Sequence, residues 1–255
     1  MMRFASLGSG SDGNGLLVQA GNTSVLADCG FTLAETLDRL LRLGLEPDCI
    51  DAIVVTHEHD DHVGGAARYA RKFDVPVWLT HGTYRASAAQ FNDCTQLRFF
   101  DCQQRFSVGD IEIEPYTVPH DAQEPSQFVF GDGSSRVGLL TDAGSLTAHM
   151  QAVLDGVDAI VLECNHDLDM LWNSKYPERL KQRIAGRLGH LDNAAAARLL
   201  SAIDRTRLKH VIAAHLSRQN NTPELARGAL AGALGCEAGW VVVADQAAGF
   251  GWRAV

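Results

Sequence analysis

The densest chemistry in the chain lies in Thr56-His57-Glu58-His59-Asp60-Asp61-His62. Imidazoles and carboxylates crowded this closely would desolvate and repel one another unless something offsets them. A divalent cation does so, because imidazole nitrogen and carboxylate oxygen are its borderline and hard ligands. The segment follows an apolar run, Ala52-Ile53-Val54-Val55, and precedes Gly64-Gly65. If that run is a strand, His57 and His59 point to the same side, since strand side chains alternate with period two. Asp61 and His62 then fall in the turn and aim at a neighbouring position. One short loop could thus serve two metals. The plainer alternative is a solvated polar loop, and the position directly behind a buried strand speaks against it.

The elements that must hold this loop alternate along the chain. Arg3–Leu7, Leu16–Ala20 and Ser24–Asp28 have strand character, separated by a Gly-rich loop and by Gly21-Asn22. Leu33–Leu43 has helical periodicity. A strand over Ala52–Thr56, a helix over Val63–Phe73 and a strand over Val75–Leu79 follow. The next block is β-rich: Phe106–Val108, Ile111–Val118, Gln127–Phe130 and Arg136–Thr141. A helix over Leu146–Leu154 and a strand over Ala159–Glu163 come next, then helices over Pro177–Leu188 and Asn193–Ala202. The chain closes with a strand at Val211–Ala214, a helix at Pro223–Leu234, and strands at Trp240–Ala244 and Phe250–Val255. Each half starts as a β-meander and moves into helix–strand alternation. That order predicts an α/β protein, two sheets packed face to face with helices outside, a four-layer αββα sandwich formed by one domain over residues 1–255.

Composition excludes several classes. Of 255 residues, 22 are Lys or Arg and 31 are Asp or Glu, a formal charge of −9. Such a chain is no general polyanion binder; contact with nucleic acid requires a local basic patch or a metal. An apolar fraction of 46% argues against disorder. No stretch approaches a membrane span, and the N-terminus breaks into glycines before a signal-peptide run develops. The six cysteines form no C-x-x-C pair, which makes a reducing, cytoplasmic location the expectation.

The pattern H-x-H-x-D-H at the end of a strand resembles the signature of the metallo-β-lactamase superfamily. The resemblance continues through Val118-Pro119-His120-Asp121, Leu140-Thr141-Asp142-Ala143-Gly144 and Ala214-His215-Leu216-Ser217. It implies the metallo-β-lactamase fold and seven metal ligands. His57, His59 and His120 would hold one ion, Asp61, His62 and His215 a second, and Asp142 would bridge. An aspartate at the bridge argues against the antibiotic-hydrolysing subclass with cysteine there. Glyoxalase II and lactonase relatives share the first motif. The later motifs, Glu163-Cys164-Asn165-His166-Asp167, Gly189-His190-Leu191-Asp192-Asn193 and the run from His215 to Glu224, look like the phosphodiesterase branch, specifically the YycJ/WalJ-type DNA exonucleases. Asp192 is a departure, since a serine is commoner there.

The resemblance implies two divalent ions, zinc, manganese or iron, that activate a water for phosphodiester hydrolysis. Asp61 stands in the catalytic set as well as among the ligands. The leaving alkoxide needs an acid, and His190 and His166 are the candidates because imidazole holds a proton near neutral pH. A helix starting near His190 is expected to disfavour its charged form. The Gly8–Gly15 loop, with Ser9, Ser11 and Asn14, could present backbone amides to a phosphate; a simple turn between strands is the alternative. Arg179, Arg183 and Arg187 fall at i, i+4 and i+8 of the predicted helix and could track phosphates, or form an ordinary solvated face. The expected function is a dinuclear metal-dependent phosphodiesterase acting on DNA as an exonuclease, without a membrane partner. Hydrolysis of small esters or thioesters is the competing expectation, and a metal-binding regulatory protein a third.

Overall fold

The computed structural model describes residues 1–255. Strands β1 (Arg3–Gly8), β2 (Gly15–Ala20) and β3 (Thr23–Ala27) form an antiparallel meander. Helix α1 (Leu33–Arg42) then returns the chain to β4 (Ala52–Val54), which runs parallel to β3. Its start is fixed by a capping box: Thr32 Oγ1 accepts from Glu35 N, and the Glu35 carboxylate accepts from Thr32 N. Helices α2 (Asp60–Val63) and α3 (Ala66–Phe73), strand β5 (Val77–Leu79), helix α4 (His81–Ser87) and strand β6 (Leu97–Phe99) complete this half.

The second half opens with β7 (Phe106–Val108), β8 (Ile111–Thr117), β9 (Ser126–Gly131) and β10 (Arg136–Leu140), each antiparallel to the next of the four. It continues through α5 (Ala148–Leu154), β11 (Ala159–Glu163), α6 (Leu168–Asn173), α7 (Glu178–Ile184), α8 (Asn193–Ala202), β12 (His210–Ala214), α9 (Pro223–Leu234) and β13 (Val242–Val243). From β10 to β13 the strands are parallel. The last strand, β14 (Phe250–Ala254), crosses back to pair with β1. The two seven-stranded sheets have the orders β14-β1-β2-β3-β4-β5-β6 and β13-β12-β11-β10-β9-β8-β7.

Three apolar layers hold these together, as the four-layer expectation requires. Phe4, Val18, Val25, Phe128, Phe130, Val161 and Ile212 fill the space between the sheets. Leu17, Leu26 and Ile53 point the other way and pack with Leu40 and Tyr69 of α1 and α3. Ile160 and Leu162 face Met150, Leu199 and Leu230 of α5, α8 and α9. Neighbours such as Val25 and Leu26 therefore serve different layers, as the strand alternation dictates. Each such side chain contributes roughly 1.5–3 kcal/mol when fully buried.

Several boundaries differ from the sequence expectation. The helix expected over Val63–Phe73 starts at Ala66, and Val63 instead ends the short, unexpected α2, with Gly64-Gly65 between the two. At Gly65 a Cβ would collide with the Phe31 carbonyl oxygen, so the break also allows close packing on the β3 side. The helix expected over Pro177–Leu188 ends at Ile184. Helices α4 and α6 and strand β6 were not expected. No helix is long and apolar enough to cross a membrane, and all six cysteines are unpaired.

Candidate active site

The site lies where the carboxyl ends of the central strands meet. The loop after β4 supplies His57, His59, Asp61 and His62. His120 follows β8, Asp142 follows β10, Glu163 ends β11 and His215 follows β12. Register places these last three side by side, since Leu140 pairs with Leu162 and Glu163 with Ala214. Asp28, Asp142 and His215 all adopt left-handed backbone, with φ of 61°, 51° and 55°. Non-glycine residues take that conformation at a cost of order 1–3 kcal/mol, retained where surrounding structure over-determines it. Here it turns the chain sharply at a strand end.

All seven residues expected to bind metal come together. The donor atoms of His57, His59 and His120 lie within 4.8 Å of one another, as do those of Asp61, His62 and His215. A third group of His57, His62 and Asp142 joins the two. His62 Nε2 is 2.9 Å from Asp142 Oδ2 and 3.4 Å from Asp61 Oδ2. His215 is 3.4 Å from Asp61 through Nε2 and 3.3 Å from Asp142 through Nδ1.

The ring nitrogens turned outward are tied down. His57 Nδ1 is 2.9 Å from Thr56 Oγ1, and His62 Nδ1 is 2.7 Å from Asp28 Oδ2. His120 Nδ1 donates to the Gly189 carbonyl at 3.0 Å. Such outer partners fix which nitrogen is free to ligate. Asp28 also accepts from Thr56 N and Oγ1, so one buried carboxylate braces the start of the ligand loop. Gly30 lets that loop approach: a Cβ there would strike the Asp61 carbonyl.

Charge follows from this packing. Burial drives the imidazole of His57 well below its ordinary pKa, favouring the neutral, ligating form. Burial opposes charge on His62 too, but Asp142, Asp61 and Asp28 outweigh it and raise its pKa. The buried Asp142 Oδ2 accepts no hydrogen bond although His62 Nε2 lies beside it. A carboxylate oxygen aimed at ring nitrogens without a hydrogen bond between them is a set of donors that suits a divalent cation. The residues present therefore fit the group that the sequence motif implies.

His190 enters from the segment before α8. Its Nδ1 is 2.8 Å from Glu163 Oε1 and 3.2 Å from Asp142 Oδ1. Burial opposes its charged form, but Glu163 and Asp142 outweigh this and raise its pKa to about 10. The expected depression by the helix start is thus overturned, because two carboxylates lie closer than any helix dipole. Glu163 is fully buried and also accepts from Ala143 N and Leu191 N. Asp192, the departure from the commoner serine, caps α8 by accepting from Ala195 N at 2.7 Å.

Other expected residues are placed differently. His166 is buried, belongs to none of the ligand groups and does not line the pocket; burial lowers its pKa. Ser9 and Asn14 are buried. Ser9 Oγ accepts from His215 N, and Asn14 Nδ2 lies 3.1 Å from His62 Nε2 and 3.2 Å from the Asp61 carbonyl. Ser9 holds the backbone of His215, whereas Asn14 reaches the inward-facing atoms of His62 and Asp61. The amides of Gly8, Ser9, Gly10, Asp12, Gly13 and Asn14 already donate within the protein, so this loop is no phosphate cradle. Only Ser11 of the three polar loop residues lines the pocket, a cavity of about 370 Å³ with Asp61, Asp142, His190 and His215.

The arginine ridge is corrected as well. Arg187 lies beyond the end of α7, in a turn where Gly186 and Gly189 interrupt the helix and whose backbone packs on Gly144. Lys181 points inward and donates to the Trp172 carbonyl at 2.7 Å. Arg179 is exposed on α7. Arg183 lines the pocket, and its Nε donates to Asp121 Oδ2 at 2.7 Å. Asp121 Oδ1 is in turn 3.5 Å from His120 Nε2. Asp28, Glu163 and Asp121 also contact the site, though no sequence pattern assigns them a role. The last two lie within the family motifs, but nothing in their spacing announces their partners.

Fold and site together define a metal-dependent hydrolase. Residues 23–215 match the family model described as a beta-lactamase superfamily domain, and the chain belongs to that superfamily. Within it, the chain groups with the YycJ/WalJ proteins. It is 36% identical over 228 residues to "Exodeoxyribonuclease YycJ" of Bacillus anthracis, covering 89% of this chain and 86% of the relative. It is 33% identical to "Exodeoxyribonuclease WalJ" of Streptococcus pneumoniae, covering 88% and 85%. Among solved structures, the metallo-beta-lactamase fold protein YhfI of Bacillus subtilis superposes over 100% of both chains with a TM-score of 0.75 at 20% identity. That likeness bears out the expected fold.

Proposed function

We propose that the chain is a dinuclear metal-dependent phosphodiesterase that degrades DNA from an end. The observation that carries this reading is the likeness, over nearly the whole chain, to proteins named exodeoxyribonucleases. The site chemistry agrees with it. Seven ligands arranged as two groups joined through His62 and Asp142 suit two ions rather than one. Divalent cations held there would neutralise phosphate charge and acidify a water.

The chain's own residues supply the rest. Glu163 holds His190 through Nδ1 and favours its charged form, which leaves Nε2–H as a proton donor toward the pocket. As the phosphorus–oxygen bond to the leaving nucleoside breaks, that proton passes to the departing oxygen, and the imidazole is left neutral. General acids of this kind contribute typically 10²–10⁴-fold. Arg183 and Ser11, at the pocket wall, would contact non-bridging oxygens. Asp121 positions Arg183 and links it to the His120 side of the metal groups.

The test is a substrate panel with and without chelator: end-labelled single- and double-stranded DNA, bis-p-nitrophenyl phosphate, S-lactoylglutathione and a lactone. The expected result is chelator-sensitive cleavage of the phosphodiesters, with mononucleotides released from DNA and two ions per chain by metal analysis. Turnover of the thioester or lactone with intact phosphodiesters would replace this reading by small-ester hydrolysis.

A further inference from the structure

Beside the catalytic pocket lies a second cleft, of about 560 Å³, that shares Asp60 with it. Its lining is polar; only Ala67 and Ala89 are apolar among those residues. Thr32, Gln90 and Asn92 offer hydroxyl and amide groups, and Arg68 and Arg71 project from α3. This helix carries Arg68, Arg71 and Lys72 and no acidic residue, within a chain of formal charge −9. The Gly64-Gly65 link between α2 and α3 is held by Gly65 N donating to the Cys29 carbonyl at 2.7 Å, and Cys29 N donates to the His62 carbonyl at 2.8 Å, so the cleft stays beside the ligand loop.

The arginines of this cleft differ from the one that lines the catalytic pocket, Arg183. Arg183 and Arg218 are each paired with a carboxylate, Asp121 and Asp12. Arg68 and Arg71 have no carboxylate partner, although Asp60 and Asp93 line the same cleft. Arg71 Nη1 donates to the Gln90 carbonyl at 3.1 Å, which steadies the side chain and leaves other N–H groups free. Residues three apart on a helix have Cβ atoms about 5–6 Å apart, so both guanidinium groups address the same stretch of ligand. A purely apolar ligand finds little here, and a simple cation meets two arginines. A ligand with phosphates for the arginines, and base edges or hydroxyls for the amides and carboxylates, uses the whole lining.

We propose that this cleft binds the nucleotides flanking the scissile bond, with Arg68 and Arg71 on the phosphodiester backbone of a single strand. The proposal rests on the phosphodiesterase reading above. A catalytic pocket of about 370 Å³ is near the lower end of the ~300–1,000 Å³ typical of small-ligand sites. A polymer must therefore continue outside it, and the cleft at Asp60 offers a polar path.

The test measures binding of nuclease-resistant phosphorothioate strands, a dinucleotide and a longer oligonucleotide, to the metal-loaded protein across a salt series. Wild type should bind the longer strand more tightly. In R68Q/R71Q that gain should disappear, and the log–log salt slope should fall by about 1.4, two contacts at about 0.7 each for a single strand. R68K/R71K, which retains charge, should keep most of the slope. Circular dichroism of each variant should match wild type, since both side chains are exposed. If R68Q/R71Q keeps the length-dependent gain and the slope, the cleft proposal is overturned and the phosphodiesterase reading stands. A lysine variant that falls as far as the glutamine variant overturns the electrostatic role. Wild type that binds neither strand and cleaves no phosphodiester overturns the reading beneath both.

Discussion

The two halves of the molecule build the same site by different means. The first half delivers four of its groups from one contiguous loop, His57 to His62, braced by Asp28 and seated against Gly30. The second half delivers single residues from separate places: His120, Asp142, Glu163, His190 and His215. In the loop, sequence spacing sets the geometry. In the second half, the parallel register of β10, β11 and β12 sets it, because three strand ends bring Asp142, Glu163 and His215 together. Ligands at the carboxyl ends of parallel strands follow a general rule of α/β sheets. The difference teaches that a local motif is robust to the fold around it, whereas a strand-end site depends on the whole sheet.

Removing the residue that joins the two contributions should have the largest effect. Asp142→Ala should lower metal content and abolish hydrolysis while leaving far-UV circular dichroism unchanged. If a D142A protein retains both ions and full rate, the two groups are independent of each other.

Next in size is the proposed proton donor, His190, which belongs wholly to the second half. His190→Ala should retain its metal but lose roughly 10²–10⁴-fold on a nucleoside leaving group. The loss should be much smaller with a p-nitrophenolate leaving group, which scarcely needs protonation; equal losses would indicate positioning instead. Glu163→Gln sharpens this. Glu163 raises the His190 pKa, so removing its charge should move the alkaline limb of the pH–rate profile to lower pH. A profile that stays in place would exclude the Glu163–His190 pair as the acid.

A smaller effect is expected behind the loop. Asp28→Asn keeps the shape but weakens the hold on His62 Nδ1 and Thr56. Outer-partner changes of this kind typically cost 10–100-fold in metal affinity or activity. Competition against a chelator would measure the loss, and unchanged affinity would mean that the loop is held by its backbone alone.

The smallest effect concerns the rim. Arg218 and Asp12 form an ion pair with both side chains more than half exposed. Such pairs contribute about 0–1 kcal/mol. Asp12→Asn should therefore leave thermal stability almost unchanged, and a large drop in Tm would show that the glycine loop depends on this latch rather than on Asn14 and Gln246.

Those parts in which spacing is geometry can be read from the residues alone. His57, His59, Asp61 and His62 are legible because period-two alternation and a following turn fix their directions within a few residues. The layer pattern is legible for the same reason, since alternate positions such as Val25 and Leu26 must face opposite sides of a strand. His120, Asp142 and His215 were legible only through the family motif, because a lone residue after an apolar strand carries no local signal. Tertiary structure alone decided the rest. A buried carboxylate such as Asp28 or Glu163 acquires its role from partners tens of residues away. The amides of the Gly8–Gly15 loop look available in sequence and are consumed by Asn14, Gln246 and Asp245 in the fold. The arginine ridge looked continuous because helical periodicity says nothing about where glycines will end the helix. Arg187 accordingly left the ridge, and Arg183 found Asp121 across the pocket. Distances between segments are set by sheet register and helix packing, and these exist only once the chain has folded.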